Sequence, residues 1–446
     1  MPITSTFSLA TKIAVETDYC SAPSGLKNGR LWSEGGRWFD VITDGLPSMQ
    51  DNQAIIFPTG HAGDRRMNQQ PPVQGRAWSE GDLSAPVVSD FLGVLLLGAM
   101  GAASTNMTPC SSAASLLVAE PLTISKNLVL NNQPSDGGAI LRFDVAGFDG
   151  TGVTVSISGI DAGGNGASET IFGGLARGLM YSRTSWSSIA PSGILVSGAS
   201  AGTVTIFGIR NFTHTFSNAS VAPTLSMERQ GVPTSGEASA NLNHIHPGLV
   251  VKSLTLETNA EQTDGIFMVS ADFEGAESGA STKTTLNGTS ILKIWPSWTL
   301  KVRRDNGTAW DVVQNLSLNI STNNANYRAA AGTRSPQGVF FGGVEYTGSV
   351  EILANNEIEY SRWLKASEIQ LHVLWNTPWA MAGSTMQQLS ASVPAYLENI
   401  QTQDSDGKWV LSGDIRAVRN DNFPFQLALR SGVPGKSFNP AQQTSI

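Results

Sequence analysis

Apolar and polar residues alternate one for one along much of this chain, which is the period of a strand with one buried face. The pattern is densest between residues 111 and 210. There Val153, Val155 and Ile157 alternate with Thr154, Ser156 and Ser158, and Val204 and Ile206 with Thr203 and Thr205. Gly-rich turns break the runs at Phe148-Asp-Gly-Thr-Gly152 and Asp161-Ala-Gly-Gly-Asn-Gly166. Short strands at this spacing predict a small β-sandwich, with Trp186 as a core aromatic.

From 211 to the end a second β-rich region follows. Phe212-Thr-His-Thr-Phe216 and Leu249-Val-Val-Lys-Ser-Leu-Thr-Leu256 alternate, and the run from Gly265 to Gly275 reads as a strand ended by glycine. Further strands are expected at Trp298–Val302, Leu316–Ile320, Gly348–Ile352, Trp409–Gly413 and Phe425–Leu429. Two segments break the alternation. Phe91-Leu-Gly-Val-Leu-Leu-Leu-Gly-Ala-Met100 reads as one buried helix, with Ser89 or Asp90 placed to cap it. Asn356 to Lys365 puts Ile358, Trp363 and Leu364 on neighbouring helical faces, so one short helix is expected there. The least patterned stretch runs from 57 to 76. It is too long for an ordinary connection, and such loops usually carry function or become ordered on a partner. No tandem repeat of fixed period stands out.

Composition sharpens this picture. At 446 residues the chain is long enough for two or three domains. Charged residues make up only 14%, and 46 glycines supply the turns. Sparse charge suits a surface that is covered by copies of the same chain. The formal net charge is −8, the wrong sign for gripping nucleic acid but compatible with a passage that DNA slides through. Cys20 and Cys110 fall in no metal or redox spacing and read as reduced thiols. The first residues show no signal-peptide pattern, and the apolar run at 91–100 is too short to span a bilayer. A soluble chain made inside the cell is the expectation.

The search for reactive chemistry returns little. His244-Ile-His246 sets two imidazoles on one face of a strand, as metal ligands often stand, but no third ligand lies nearby. A polar segment entering a strand is the better account. His214, between Phe212 and Phe216, reads as a packed histidine. The glycine-rich turns lack the GK[ST] ending of a phosphate loop, and neither GxSxG nor HExxH occurs. No catalytic residue, metal site or cofactor is expected. The tightest charge cluster is Asp64-Arg65-Arg66, close to His61 in the long loop. It is either a solvated tip or a contact between subunits.

In chain order, several segments resemble the tail tube proteins of long-tailed bacteriophages. Gly81-Asp-Leu-Ser-Ala-Pro-Val-Val-Ser-Asp-Phe-Leu-Gly-Val-Leu-Leu-Leu-Gly98 looks like that family's strand running into an apolar helix. Phe212-Thr-His-Thr-Phe216 and Pro223-Thr-Leu-Ser-Met-Glu-Arg229 resemble its next pair of strands. Val250–Leu256 with Ala271-Asp-Phe-Glu-Gly275 resembles the hairpin that follows them. Val313–Asn324, Gly348–Ile352 and the Tyr360–Leu364 helix fit its closing half. The block at 111–210 departs from the pattern and resembles the immunoglobulin-like domains that decorate phage tails.

The resemblance implies a mainly β fold with one or two short helices. A barrel-forming tube domain (1–110 and 211–446) would be interrupted by an immunoglobulin-like sandwich (111–210) on the outer surface. It implies a non-enzymatic virion protein, assembled in the host cytoplasm into stacked rings, with hexamers favoured over trimers. Expected partners are further copies, a tape measure protein inside, and terminator and distal tail proteins at the ends. DNA would pass without specific binding, and no membrane is involved. His61, Asp64, Arg65 and Arg66 are the candidate inter-subunit contacts. Alternatives are another tail component, such as a terminator or baseplate ring, or a carbohydrate-binding module.

Overall fold

The structure, a computed structural model, describes residues 7–16, 39–41, 49–56, 73–110, 115–122, 125–134, 137–146, 154–172, 179–198, 201–233, 244–259, 265–280, 294–305, 308–310, 312–327, 336, 338–354, 358–382, 385–405 and 408–432. The chain opens with β1 (Phe7–Val15), β2 (Phe39–Val41), β3 (Gln50–Ile56), β4 (Val73–Pro86), α1 (Ser89–Met100) and β5 (Gly101–Pro109). Six strands follow: β6 (Leu117–Pro121), β7 (Ser125–Leu128), β8 (Ala139–Ala146), β9 (Thr154–Asp161), β10 (Gly166–Phe172) and β11 (Leu179–Ser197). Then come β12 (Thr203–Asn218), β13 (Leu225–Pro233), β14 (His244–Asn259), β15 (Phe267–Gly275), β16 (Gly279–Ala280), β17 (Lys301–Arg304) and β18 (Thr308–Ala309). The chain continues through β19 (Val312–Thr322), β20 (Ala325–Tyr327), β21 (Gly338–Phe340), β22 (Val344–Ala354) and α2 (Ile358–Leu364). It closes with β23 (Ile369–Ala382), β24 (Thr385–Ser405), β25 (Lys408–Ala417) and β26 (Gln426–Ser431). The mainly β expectation holds.

One sheet runs β3–β4–β15–β14–β19–β22–β25–β24, antiparallel throughout. Here β14 contributes its half from Val250 and β24 its half from Ala395. A second layer runs β5–β12–β26–β24–β23–β17–β18, using the first half of β24. A smaller group, β2–β1–β13–β14–β16, uses the first half of β14. β24 and β14 therefore each stitch two sheets together. Strands of 21 and 16 residues are long enough to do so, whereas the sequence pattern suggested short ones.

The apolar alternation of both layers meets in one core. Leu254 and Leu256 of β14, Leu318 and Ile320 of β19, and Ile352 of β22 share it with Phe212 and Phe216 of β12 and Leu427 and Leu429 of β26. Phe267 stacks on Trp375 at 4.7 Å with planes 6° apart, and Trp295 sits 6.3 Å away. α1 is buried along its length, which fits a helix apolar on every side. The N-cap position is not one of the two residues expected there. Val88 is the N-cap and has no side-chain cap bond, while Ser89 and Asp90 already lie in the first turn. At its other end the helix stops at Gly101 (φ 93), whose N–H returns to the Leu97 carbonyl. A Cβ there would meet the Val221 carbonyl at 2.8 Å, so glycine is required twice over.

Three further expectations change. The strand expected at Trp298–Val302 starts only at Lys301, as β17, and is preceded by a 3-10 turn at Ser297–Thr299, closed by Leu300 N–H donating to the Ser297 carbonyl (3.0 Å). Pro296 just before it cannot donate to a ladder. The short helix near 360 is present, but Ile358 and Leu364 are exposed, because α2 lies on the surface. The unpatterned stretch ends earlier than expected, since Val73–Arg76 belong to β4.

Strands β6 to β11 and the first half of β12 gather a second apolar cluster around Trp186, Phe143, Ile157 and Ile206. Trp186 is fully buried in it. The boundary expected at 210 falls inside β12. That strand pairs with β6 through Ile206 and with β8 through Ile209, then with β5 from Ile209 and with β26 from Phe212.

Candidate functional site

The β3-to-β24 sheet has one face in the core and one face open. Strand alternation decides which side chains stand on the open face. On β4 these are Glu80 and Asp82, on β15 Asp272 and Glu274, and on β14 Glu257. On β22 they are Glu345 and Glu351, on β25 Asp414, and on β24 Glu398. All are exposed or half-buried. Serine, threonine, asparagine and glutamine fill the spaces between, as at Ser253, Thr255, Asn319, Ser349, Gln401 and Ser412.

Among the described residues the basic side chains on this face are few. Lys252 is drawn to Glu274 at 3.3 Å and Arg416 to Glu398 at 3.7 Å, leaving Arg76 near the sheet edge. The face is therefore strongly acidic. Its carboxylates are pinned by neutral donors: Ser253 donates to Asp272 (2.5 Å), Asn399 to Asp414 (2.8 Å), Asn52 to Glu80 (2.7 Å), and Asn315 to Glu351. A shallow depression runs across the middle, bordered by Glu257, Asn315, Glu351, Gln401 and Asp414. Such a surface repels a polyanion at close range and offers it few cations to settle on.

The candidate contacts His61, Asp64, Arg65 and Arg66 lie outside the described residues, as does Cys20. The segment that holds those four joins β3 to β4. His244 opens β14 and is exposed, whereas His246 is buried in the same strand. Among the described residues no group of three His, Cys, Asp or Glu is placed to hold a metal ion. His214 is buried, with Nδ1 2.9 Å from Thr105 Oγ1 and its ring stacked on Phe212. Cys110 is buried next to the start of the second cluster. Among the described residues no helix is long and apolar enough to cross a membrane. The acidic face itself was missed in the sequence, although Glu80/Asp82 and Asp272/Glu274 carry its signal as acids two residues apart.

A mainly β chain with one polar, acidic face backed by a shared core has the build of a wall component. The chain belongs to the phage tail tube protein family, whose model matches residues 12–405. No curated protein matches it. It is thus a structural protein of the virion tail, and membership implies assembly with itself and with other tail proteins. A structural family of this kind suggests a non-enzymatic role.

Proposed function

We propose that this chain is the major tail tube subunit and that its copies form stacked rings whose acidic face lines the channel for genome ejection. The observation that carries the reading is the charge of the open face. DNA moving along such a wall meets carboxylates held by serine and asparagine, so it is repelled at short range and finds few cationic anchors. The tape measure protein would occupy this channel before ejection, with terminator and distal tail proteins at the ends. Assembly takes place in the host cytoplasm.

The block at 111–210 serves as a separate sandwich on the outer surface. Two features support this. Most of its buried apolar residues form a cluster of their own, while Ile140, Tyr181 and Ile209 reach the main core. It is also inserted between β5 and β12, which belong to the layer opposite the acidic face. The 57–72 segment, with His61, Asp64, Arg65 and Arg66, serves as an inter-subunit contact. In support, the connection between β19 and β22 of the same sheet carries the ribbon β20–β21, where Tyr327 and Phe340 stand exposed with rings 5.0 Å apart.

Charge reversal tests the channel reading. A phage carrying Glu257→Lys, Glu351→Lys and Asp414→Lys is expected to build tubes of normal length. It should release its genome at least about tenfold more slowly at low salt, with the delay relieved as salt rises. Unchanged release kinetics from virions shown to contain the variant would count against the acidic face as the channel wall.

A further inference from the structure

The two halves of the chain repeat one topology. In the first, β1 pairs with β2 and β13, β13 with β14, β14 with β15, β15 with β4, and β4 with β3. In the second, β17 pairs with β18 and β23, β23 with β24, β24 with β25, β25 with β22, and β22 with β19. α1 follows β4 as α2 follows β22. Every pairing of the first set has its counterpart in the second.

The correspondence reaches single residues. Val269-Ser-Ala-Asp-Phe273 on β15 matches Leu411-Ser-Gly-Asp-Ile415 on β25, with the same alternation of core and open positions. Gly81 stands opposite Phe273, and Gly348 opposite Ile415. The Ser253–Asp272 bond has its counterpart in Asn399–Asp414. The ion pair Lys252–Glu274 (3.3 Å) returns as Glu398–Arg416 (3.7 Å) with the charges exchanged between the strands. The ladder of β14 with β15 is interrupted by a bulge after Val251, and that of β24 with β25 after Glu398. Ordinary hairpins share alternation, but chance does not also align glycines, bulges and a swapped ion pair.

The halves meet at a seam in which β14 of the first pairs antiparallel with β19 of the second. Their outer edges are the same two strands: β3, the counterpart of β19, and the end of β24, the counterpart of β14. Among the described residues β3 pairs only with β4, and Glu398–Ser405 only with β25. Asn399 and Gln401–Gln403 are exposed on both faces of the strand, as an uncovered edge requires. Edges of this kind persist when a partner strand covers them.

We infer that the end of β24 pairs antiparallel with β3 of a second copy of this chain, in the register of the internal β14–β19 seam, and that three copies close the ring. The internal pair Thr255↔Asn319 transposes to Gln401 opposite Gln50 of the next copy. This inference rests on the tube reading. The copy number follows from geometry. Strands about 4.8 Å apart and tilted roughly 40° give three copies a barrel about 48 Å across between backbones. Six copies would double that width to roughly 95 Å, several duplexes wide. Three chains still supply six four-stranded units, so the inner wall keeps a near six-fold appearance while the outer block, present once per chain, appears three times.

The test uses assembled tubes. A Gln50→Cys/Gln401→Cys double variant, oxidised after assembly, should run on non-reducing gels as dimers and trimers and stop at trimers, while each single variant stays monomeric. Averaged cross-sections of wild-type tubes should show three outer projections per ring. Tubes that form without inter-chain disulfides would overturn the seam yet leave the tube reading standing. A ladder reaching six chains, or six projections, would overturn the copy number. If the double variant fails to assemble, the wild-type cross-section still decides. Wild-type chain that never forms tubes would remove the underlying reading as well.

Discussion

Phe267→Ala is expected to cost the folded subunit about 3–5 kcal/mol, the range for removing a large aromatic side chain from a packed core. Phe267 is fully buried, stacks flat on Trp375 at 4.7 Å and abuts Trp295. It also sits at the start of β15, where its carbonyl accepts from Val87 N–H (2.8 Å) and its N–H donates to the Trp295 carbonyl (3.0 Å). The backbone there is held on both sides, so the cavity cannot readily collapse, and the loss should fall towards the upper end. Denaturant unfolding of the unassembled subunit, followed by tryptophan fluorescence, measures it. A loss below about 1 kcal/mol would show that the aromatic cluster does not hold the layers together. Phe267→Leu should recover most of the difference.

The second large effect is expected at Glu16. Its carboxylate is buried and accepts from Thr224 Oγ1 (2.6 Å), Ser226 Oγ (2.5 Å) and Gly248 N–H (2.9 Å). Gly248 stands at φ 64, a conformation this bond helps to hold. One side chain thus ties the end of β1 to β13 and to the bend in β14. Alanine would strip three donors of their acceptor inside the protein. Each stranded donor costs about 1–3 kcal/mol, so a total near 3–5 kcal/mol is expected after partial relaxation. Thermal unfolding and hydrogen exchange at Gly248 would register the change. Exchange at Gly248 as slow in Glu16→Ala as in the unaltered chain would contradict the assignment.

Much of the fold was legible because strand period is a local property. Val155–Ile157, Leu249–Leu256 and Phe425–Leu429 each declare a buried face without reference to the rest of the chain. Where prediction went astray, the deciding contact lay elsewhere. Trp298 follows Pro296, and the 3-10 turn formed there also depends on Thr299 donating to the Asn376 carbonyl on a distant strand. Ile358 and Leu364 have a helical spacing, yet they stand exposed on a surface helix. Ser89 has the chemistry of a cap yet falls one residue inside the helix.

The acidic face was hidden for a different reason. Each carboxylate pair is visible, but whether Glu257, Glu351 and Asp414 stand together depends on the register of four strands far apart in the chain. The repeat of the two halves was hidden too. The block between β5 and β12 lengthens only the first half, which destroys any fixed period, and the matching strands share alternation more than identity.

The central claim, that copies of this chain form a tube with its acidic sheet facing the channel, is tested most directly by a cryo-electron microscopy reconstruction of tubes from the purified protein or the virion tail. The account predicts Glu257, Glu351 and Asp414 on the channel wall and the 111–210 block on the outside. A wall with that sheet turned outward, or with the block inside the channel, would contradict it.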